Sequence, residues 1–128
     1  MVAVGKVDHI IDRLCEEAKK IICGENLGSV ISSAAKERIE KYICEAEDAG
    51  AKVLVDGRNT VVAGKEGGFY VSPTVIDFVT PDMAIAKEEV FGPVLAIMRT
   101  DTIDEAISIE NNSKEVIDFL RRFYLTVR

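Results

Sequence analysis

Gly92-Pro93, followed at once by Val94-Leu95-Ala96-Ile97-Met98, constrains this chain more than any other stretch. Pro93 has a fixed φ and no N–H, and its ring drives Gly92 out of the helical region, so no helix runs through the pair. The apolar run after it reads as a buried strand. Just before it lie Lys87-Glu88-Glu89-Val90-Phe91, which puts carboxylates and an aromatic ring on a bend at the start of a strand. An acidic side chain on a loop bordering a sheet is a common holder of sugar hydroxyls. On spacing alone, Glu88 and Glu89 read first as solvated surface charge.

The rest of the chain supplies alternating helical and extended patterns. Val7, Ile10, Ile11, Leu14, Cys15, Ala18 and Ile22 recur at helical spacing and predict an amphipathic helix over about 6–22, ended near Gly24. Cys15 lies on its apolar stripe and reads as a small core residue. After the loop 24–31, Ser32 or Ser33 caps a second helix with Ala35, Ile39, Tyr42, Ile43 and Ala46 on its apolar face, stopped at Gly50. Cys44, at the margin of that face, reads as structural. Lys52 to Val55 is a short strand closed by the Asp56-Gly57 turn.

Residues 59–68 read as an irregular connection. Their glycines lack both the GxGxxG spacing and the lysine-serine pair of a phosphate cradle. Phe69 to Ile76 reads as a strand interrupted by Pro73, which places it at a sheet edge or a bulge. Thr80-Pro81-Asp82 turns the chain, and a single strand over 94–99 follows. Thr102 and Glu105 form a capping box for a helix from Ile103 to about Asn111. Residues 114–128 predict a short amphipathic helix whose basic residues suit a helix C-terminus. The order implies an α/β fold, a three-layer-like mixed sheet with flanking helices, at least partly parallel and with only three or four strands visible.

At 128 residues, 48% hydrophobic and 30% charged, the chain is a soluble globular domain rather than a disordered one. The net charge of −6 excludes the basic face that a nucleic-acid partner needs. No apolar run is long enough to span a membrane, and Met1 to Lys6 has no signal-peptide pattern. Cys15, Cys23 and Cys44 are widely spaced with no CxxC, which argues against a disulfide framework or a zinc site and for a cytoplasmic location. His9 alone cannot build a multi-histidine metal site and reads as a surface residue.

Several motifs are more specific than their physics. Gly68-Phe69-Tyr70-Val71-Ser72-Pro73-Thr74-Val75, Val79-Thr80-Pro81-Asp82-Met83 and Lys87 to Val94 resemble the aldehyde dehydrogenase superfamily. So do Leu27 to Ser32 with Ala35-Lys36-Glu37-Arg38, then Gly50 to Gly57, then Asp104-Glu105-Ala106-Ile107. The resemblance runs collinearly from about residue 7 to 113. It defines a partial aldehyde dehydrogenase catalytic domain over 1–113, followed by a divergent C-terminal tail over 114–128. Asp56-Gly57-Arg58-Asn59 and the insertion after it are most similar to methylmalonate-semialdehyde dehydrogenases, the CoA-acylating branch.

The resemblance implies that Glu89 binds a ribose of NAD and that Phe91 lies beside the nicotinamide end. Its departures are as informative. The family's nucleophile is a cysteine in a Gly-Gln-x-Cys setting, and its general base a glutamate in Glu-Leu-Gly-Gly. Neither motif occurs here, nor does the Rossmann-type domain, and Ser29 stands where the family usually has proline. The expectation is a truncated dehydrogenase with no catalytic residue, inactive by itself and binding NAD at millimolar affinity or not at all. The alternatives are one half of a split dehydrogenase, completed by a second chain, or a non-enzymatic module that forms a homo-oligomer through exposed sheet edges.

Overall fold

The computed structural model describes residues 1–112. The predicted terminal helix and the division between residues 113 and 114 lie outside the described residues. The elements, in order, are β1 (Val2–Val4), α1 (Asp8–Lys19), α2 (Ser33–Asp48), β2 (Lys52–Val55), β3 (Thr74–Asp77), α3 (Ala84–Lys87), β4 (Val94–Ala96), β5 (Met98–Thr100) and α4 (Ile103–Asn111).

The predicted strand 94–99 is two strands meeting at Ile97. β4 pairs parallel with β3, Thr74 opposite Val94, while β5 pairs parallel with β1, Val2 opposite Met98. Around the junction the hydrogen bonds point both ways. The Ile97 N–H donates to the Ile76 carbonyl at 2.8 Å, and its own carbonyl accepts from the Val79 N–H. The Met98 N–H donates to the Met1 carbonyl, on the opposite side. The run 94–100 therefore joins a three-stranded sheet, β2-β3-β4, to a two-stranded one, β1-β5. β1 was illegible in the sequence because three residues are too few to show a period.

A second correction concerns Pro73. The expected strand 69–76 forms only over Thr74–Asp77, and it is central rather than at an edge, flanked by β2 and β4. Pro73 stands one residue ahead of it, where a missing N–H breaks no ladder bond. The bulge belongs to the antiparallel partner β2, between Val53 and Val55. All four residues of β3 are buried, as befits a strand covered on both faces.

The layers follow from alternation along that strand. Ile76 joins Ile39, Ile43 and Ala46 of α2, with Met83 and Ile85 beneath them. Val75 and Ile97 join Ala3, Val7 and Ile11 on the side covered by α1. Helices thus lie on both faces of a mixed sheet, as the pattern predicted. α2 is capped by Ser32, whose Oγ accepts from the Ala35 N–H at 3.1 Å. Thr102 caps α4 by accepting from the Glu105 N–H, but Glu105 reaches back to the Asp101 N–H, one residue beyond the Thr102 N–H that a reciprocal box uses. α1 begins at Asp8 and ends at Lys19, shorter than predicted; the Asn26 side chain then takes the Ile22 N–H at 2.7 Å and turns the chain out of the helix. Residues 59–68 carry no regular element, as expected.

At the end of β3 the buried Asp77 carboxylate ties the sheet to its neighbours. It accepts from Arg99 Nη2 at 2.7 Å and Nε at 3.0 Å, and from the Phe78 N–H at 2.8 Å. Arg99 also reaches Asp8 on α1 at 2.7 Å. Phe78 takes the left-handed conformation, φ 57°, and its ring lies under the Arg99 and Lys52 cations. One carboxylate thus orders β3, β5 and the first turn of α1. Asp77→Ala should cost about 2–3 kcal/mol, because the half-buried Arg99 loses its main partner. Urea denaturation measures this, and an unchanged midpoint would refute the role given to Asp77.

Candidate functional site

The bend 88–93 is shaped by a kinked backbone held from α2. α3 ends when Glu88 turns extended, φ −118° and ψ 142°. Arg38 of α2 donates from Nη2 to the Val90 carbonyl at 3.1 Å. Phe91 then adopts φ 49°, left-handed backbone that a bulky side chain rarely takes. Such a conformation costs on the order of 1 kcal/mol and survives where its neighbours fix it. Gly92 is one of those neighbours. A Cβ there would lie 2.7 Å from Cδ1 and 2.9 Å from Cγ1 of Ile39, so only glycine lets the bend close onto α2. The Val94 N–H donates back to the Gly92 carbonyl at 2.8 Å, folding the chain tightly around Pro93. The Pro93 carbonyl accepts from the Thr74 N–H and begins the β3–β4 ladder.

Glu89 and Phe91 are both presented to solvent by this frame. Glu89 is exposed and has neither hydrogen bond nor ion pair, so both carboxylate oxygens are open to donors. Phe91 is 72% exposed, an unusual position for an aromatic ring with nothing to cover it. An open carboxylate two residues before a bare ring could accept from a vicinal diol beside a planar heterocycle, the two recognition needs of a nucleotide. Glu88, the other half of the acidic pair, instead borders a cleft of about 810 Å³ with Met1, Lys87 and Met98. Arg38 and Ile39, which fix the bend, were missed in the sequence because each looks like an ordinary helix residue. Only their contacts with a segment fifty residues on reveal them.

None of the thiols sits in that bend. Cys15 is half-buried against the α1 face of the sheet, as its stripe predicted, and burial pushes its thiol pKa up. Cys23 is buried, donating to the Val71 carbonyl and accepting from Ser72 Oγ, each at 3.4 Å. Cys44, expected to be structural at a helix margin, is exposed, and its sulfur accepts from Arg58 Nη1 at 3.2 Å. It points away from Ile39 and Ile43 because it follows Ile43 by one residue, about 100° around the helix. Arg58 itself is anchored by Asp56 and Glu47, which raise its pKa, while the Asp56 carboxyl is lowered in turn by the guanidinium. His9 is exposed on α1. Among the described residues no cluster of His, Cys, Asp or Glu could hold a metal ion, and no helix is long and apolar enough to cross a membrane.

A model of the aldehyde dehydrogenase family matches residues 1–116. The chain belongs to the aldehyde dehydrogenase family. It is 49% identical over 120 residues to an acylating mitochondrial methylmalonate-semialdehyde dehydrogenase of Arabidopsis thaliana, covering 89% of this chain but 20% of the relative. A human methylmalonate-semialdehyde/malonate-semialdehyde dehydrogenase is 42% identical, with 88% and 22% covered. Among solved structures, a methylmalonate-semialdehyde dehydrogenase of Oceanimonas doudoroffii superposes with a TM-score of 0.83 at 36% identity, covering 88% of this chain and 25% of that one. A putative one from Sinorhizobium meliloti, solved in complex with NAD, gives 0.84 at 34%, with the same coverage. The chain thus spans about a fifth to a quarter of the length of these relatives. The resemblance read from the motifs is confirmed at the level of family and fold.

If the bend is set by Gly92 pressing on Ile39, Gly92→Ala should destabilise the fold by about 1–3 kcal/mol, and Ile39→Val, which removes the opposing Cδ1 atom, should recover part of that loss. A double-mutant cycle by urea denaturation checks this coupling. Strict additivity would show that the two residues do not oppose each other.

Proposed function

We propose that this chain is a catalytically incomplete portion of a methylmalonate-semialdehyde dehydrogenase-like enzyme, carrying one corner of the NAD site and none of the chemistry. The observation that carries the reading is the bend 88–93, where the family-matched Glu89 and Phe91 stand open on a rigid frame while every thiol of the chain is committed elsewhere. In the relatives' reaction a thiolate attacks the aldehyde carbonyl and hydride leaves for NAD. Cys15 has a raised thiol pKa, Cys23 is buried in a hydrogen-bond network, and Cys44 lies on the outer side of α2; none has the Gly-Gln-x-Cys setting.

NAD, when bound in the intact family, accepts the hydride. The residues here fit a small part of that cofactor. Glu89 would accept hydrogen bonds from the ribose hydroxyls, and Phe91 would lie against the nicotinamide end. Neither lines the clefts of about 810, 560 or 420 Å³, so the chain alone would enclose little of the ligand and hold it at millimolar affinity or less. The three free thiols suit a reducing compartment such as the cytoplasm.

With malonate or methylmalonate semialdehyde, CoA and NAD, the chain alone should produce no NADH above a blank, and mass spectrometry should find none of its cysteines acylated. Turnover or an acylated thiol would overturn the reading.

A second reading is self-association. β1 and β2 are the outer strands of the two sheets, and Ile31, Val61 and Ile103 are more than two-thirds exposed. Open edges beside apolar surface favour pairing with another copy. Size-exclusion with light scattering, run over a hundredfold concentration range, should show a dimer or larger species that dissociates on dilution; a monomer throughout would dismiss it.

A further inference from the structure

An apolar groove of about 420 Å³ crosses the α1 face of the sheet, between the end of α1 and the start of β4. Leu14, Ala18 and Ile21 form one wall, Leu27 closes one end, and Pro93 and Leu95 form the floor. The one charged residue that borders it, Glu17, is engaged with Lys20 at 2.6 Å. Ile21 is 42% exposed, and Leu14, Leu27 and Leu95 are only half-buried. A leucine left half-open forfeits roughly 1 kcal/mol of burial, so four such side chains around one groove are matched to an occupant.

The comparisons indicate what that occupant is. The solved relatives keep this fold at TM-scores of 0.83 and 0.84, yet this chain spans 25% of each of them. Three-quarters of a relative's chain must pack around the same fold, and an apolar groove is where such packing occurs. The groove also reaches Gly92 and Pro93, the residues directly after Phe91. A segment seated there would lie against the bend that presents Glu89.

We infer that this groove is a docking site for an apolar segment of an aldehyde dehydrogenase chain, drawn from outside the stretch that residues 1–112 match. This rests on the reading of the chain as an incomplete dehydrogenase, and it names the surface through which the incompleteness is relieved. The driving force is burial of Leu14, Ile21, Leu27 and Leu95. The acidic balance of the chain plays little part, because the groove carries almost no charge.

The test uses the full chain and overlapping fifteen-residue peptides that tile the Arabidopsis relative, with binding read by fluorescence anisotropy. One or more apolar peptides from outside the matched fifth should bind. Leu14→Glu and Leu27→Glu should each weaken that binding at least tenfold, while Ile103→Glu, on the exposed side of α4, should leave it unchanged. Circular dichroism confirms that each variant is folded, and either groove variant suffices if the other is not. No binding peptide, or binding indifferent to both groove variants, would overturn the docking site. So would self-association that Leu14→Glu abolishes when no peptide binds, which would make a second copy the occupant. Any of these failures leaves the incomplete-enzyme reading standing, since that one falls only on semialdehyde turnover or an acylated thiol.

Discussion

The hydrogen bonds of the run 94–100 hold this fold together. Its first half pairs with β3 and its second half with β1, so one continuous run draws together the distant segments 74–79 and 1–5. Burial follows from that arrangement. Once 94–100 is central, Ile97 is sealed completely, β3 has a neighbour on each side, and the two faces are fixed for α1 and α2. The tight turn about Pro93 sets where the run begins and hence the register of Thr74 against Val94.

The same turn makes the candidate site. Phe91 is held left-handed because Arg38 fixes the carbonyl before it and Ile39 leaves room for nothing larger than hydrogen on the residue after it. A strained, exposed aromatic beside an unpaired carboxylate contributes nothing to packing, and its frame is rigid enough that the exposure is built in. The chain belongs to the aldehyde dehydrogenase family and spans a fifth to a quarter of the length of its relatives.

Much of the fold was legible in advance. α2 announced itself through Ser32, the Ile39–Ile43–Ala46 spacing and Gly50, since capping and periodicity are local effects. α4 did so through Thr102. Strand boundaries were less legible, because a three-residue strand shows no period and because the partner, far away in sequence, decides where pairing starts. Phe69 to Pro73 has strand-like composition yet forms no ladder, while Asp77, a residue rarely used in strands, ends β3 because Arg99 neutralises it. Cys44 was misplaced by a single position on a helix, enough to turn a core reading into a surface one.

The sequence by itself determined the family and the α/β layering, and its motifs drew attention to Glu89 and Phe91. These depend on local patterns and on motif order, which a one-dimensional string records. Only the tertiary structure decided that Arg38 and Ile39 shape the bend, that 94–100 joins two sheets, and that Leu14 and Leu27 flank one groove with Leu95. Each of those facts is a contact between segments distant along the chain, and such contacts exist only after the backbone hydrogen bonds of the central run have brought the segments together.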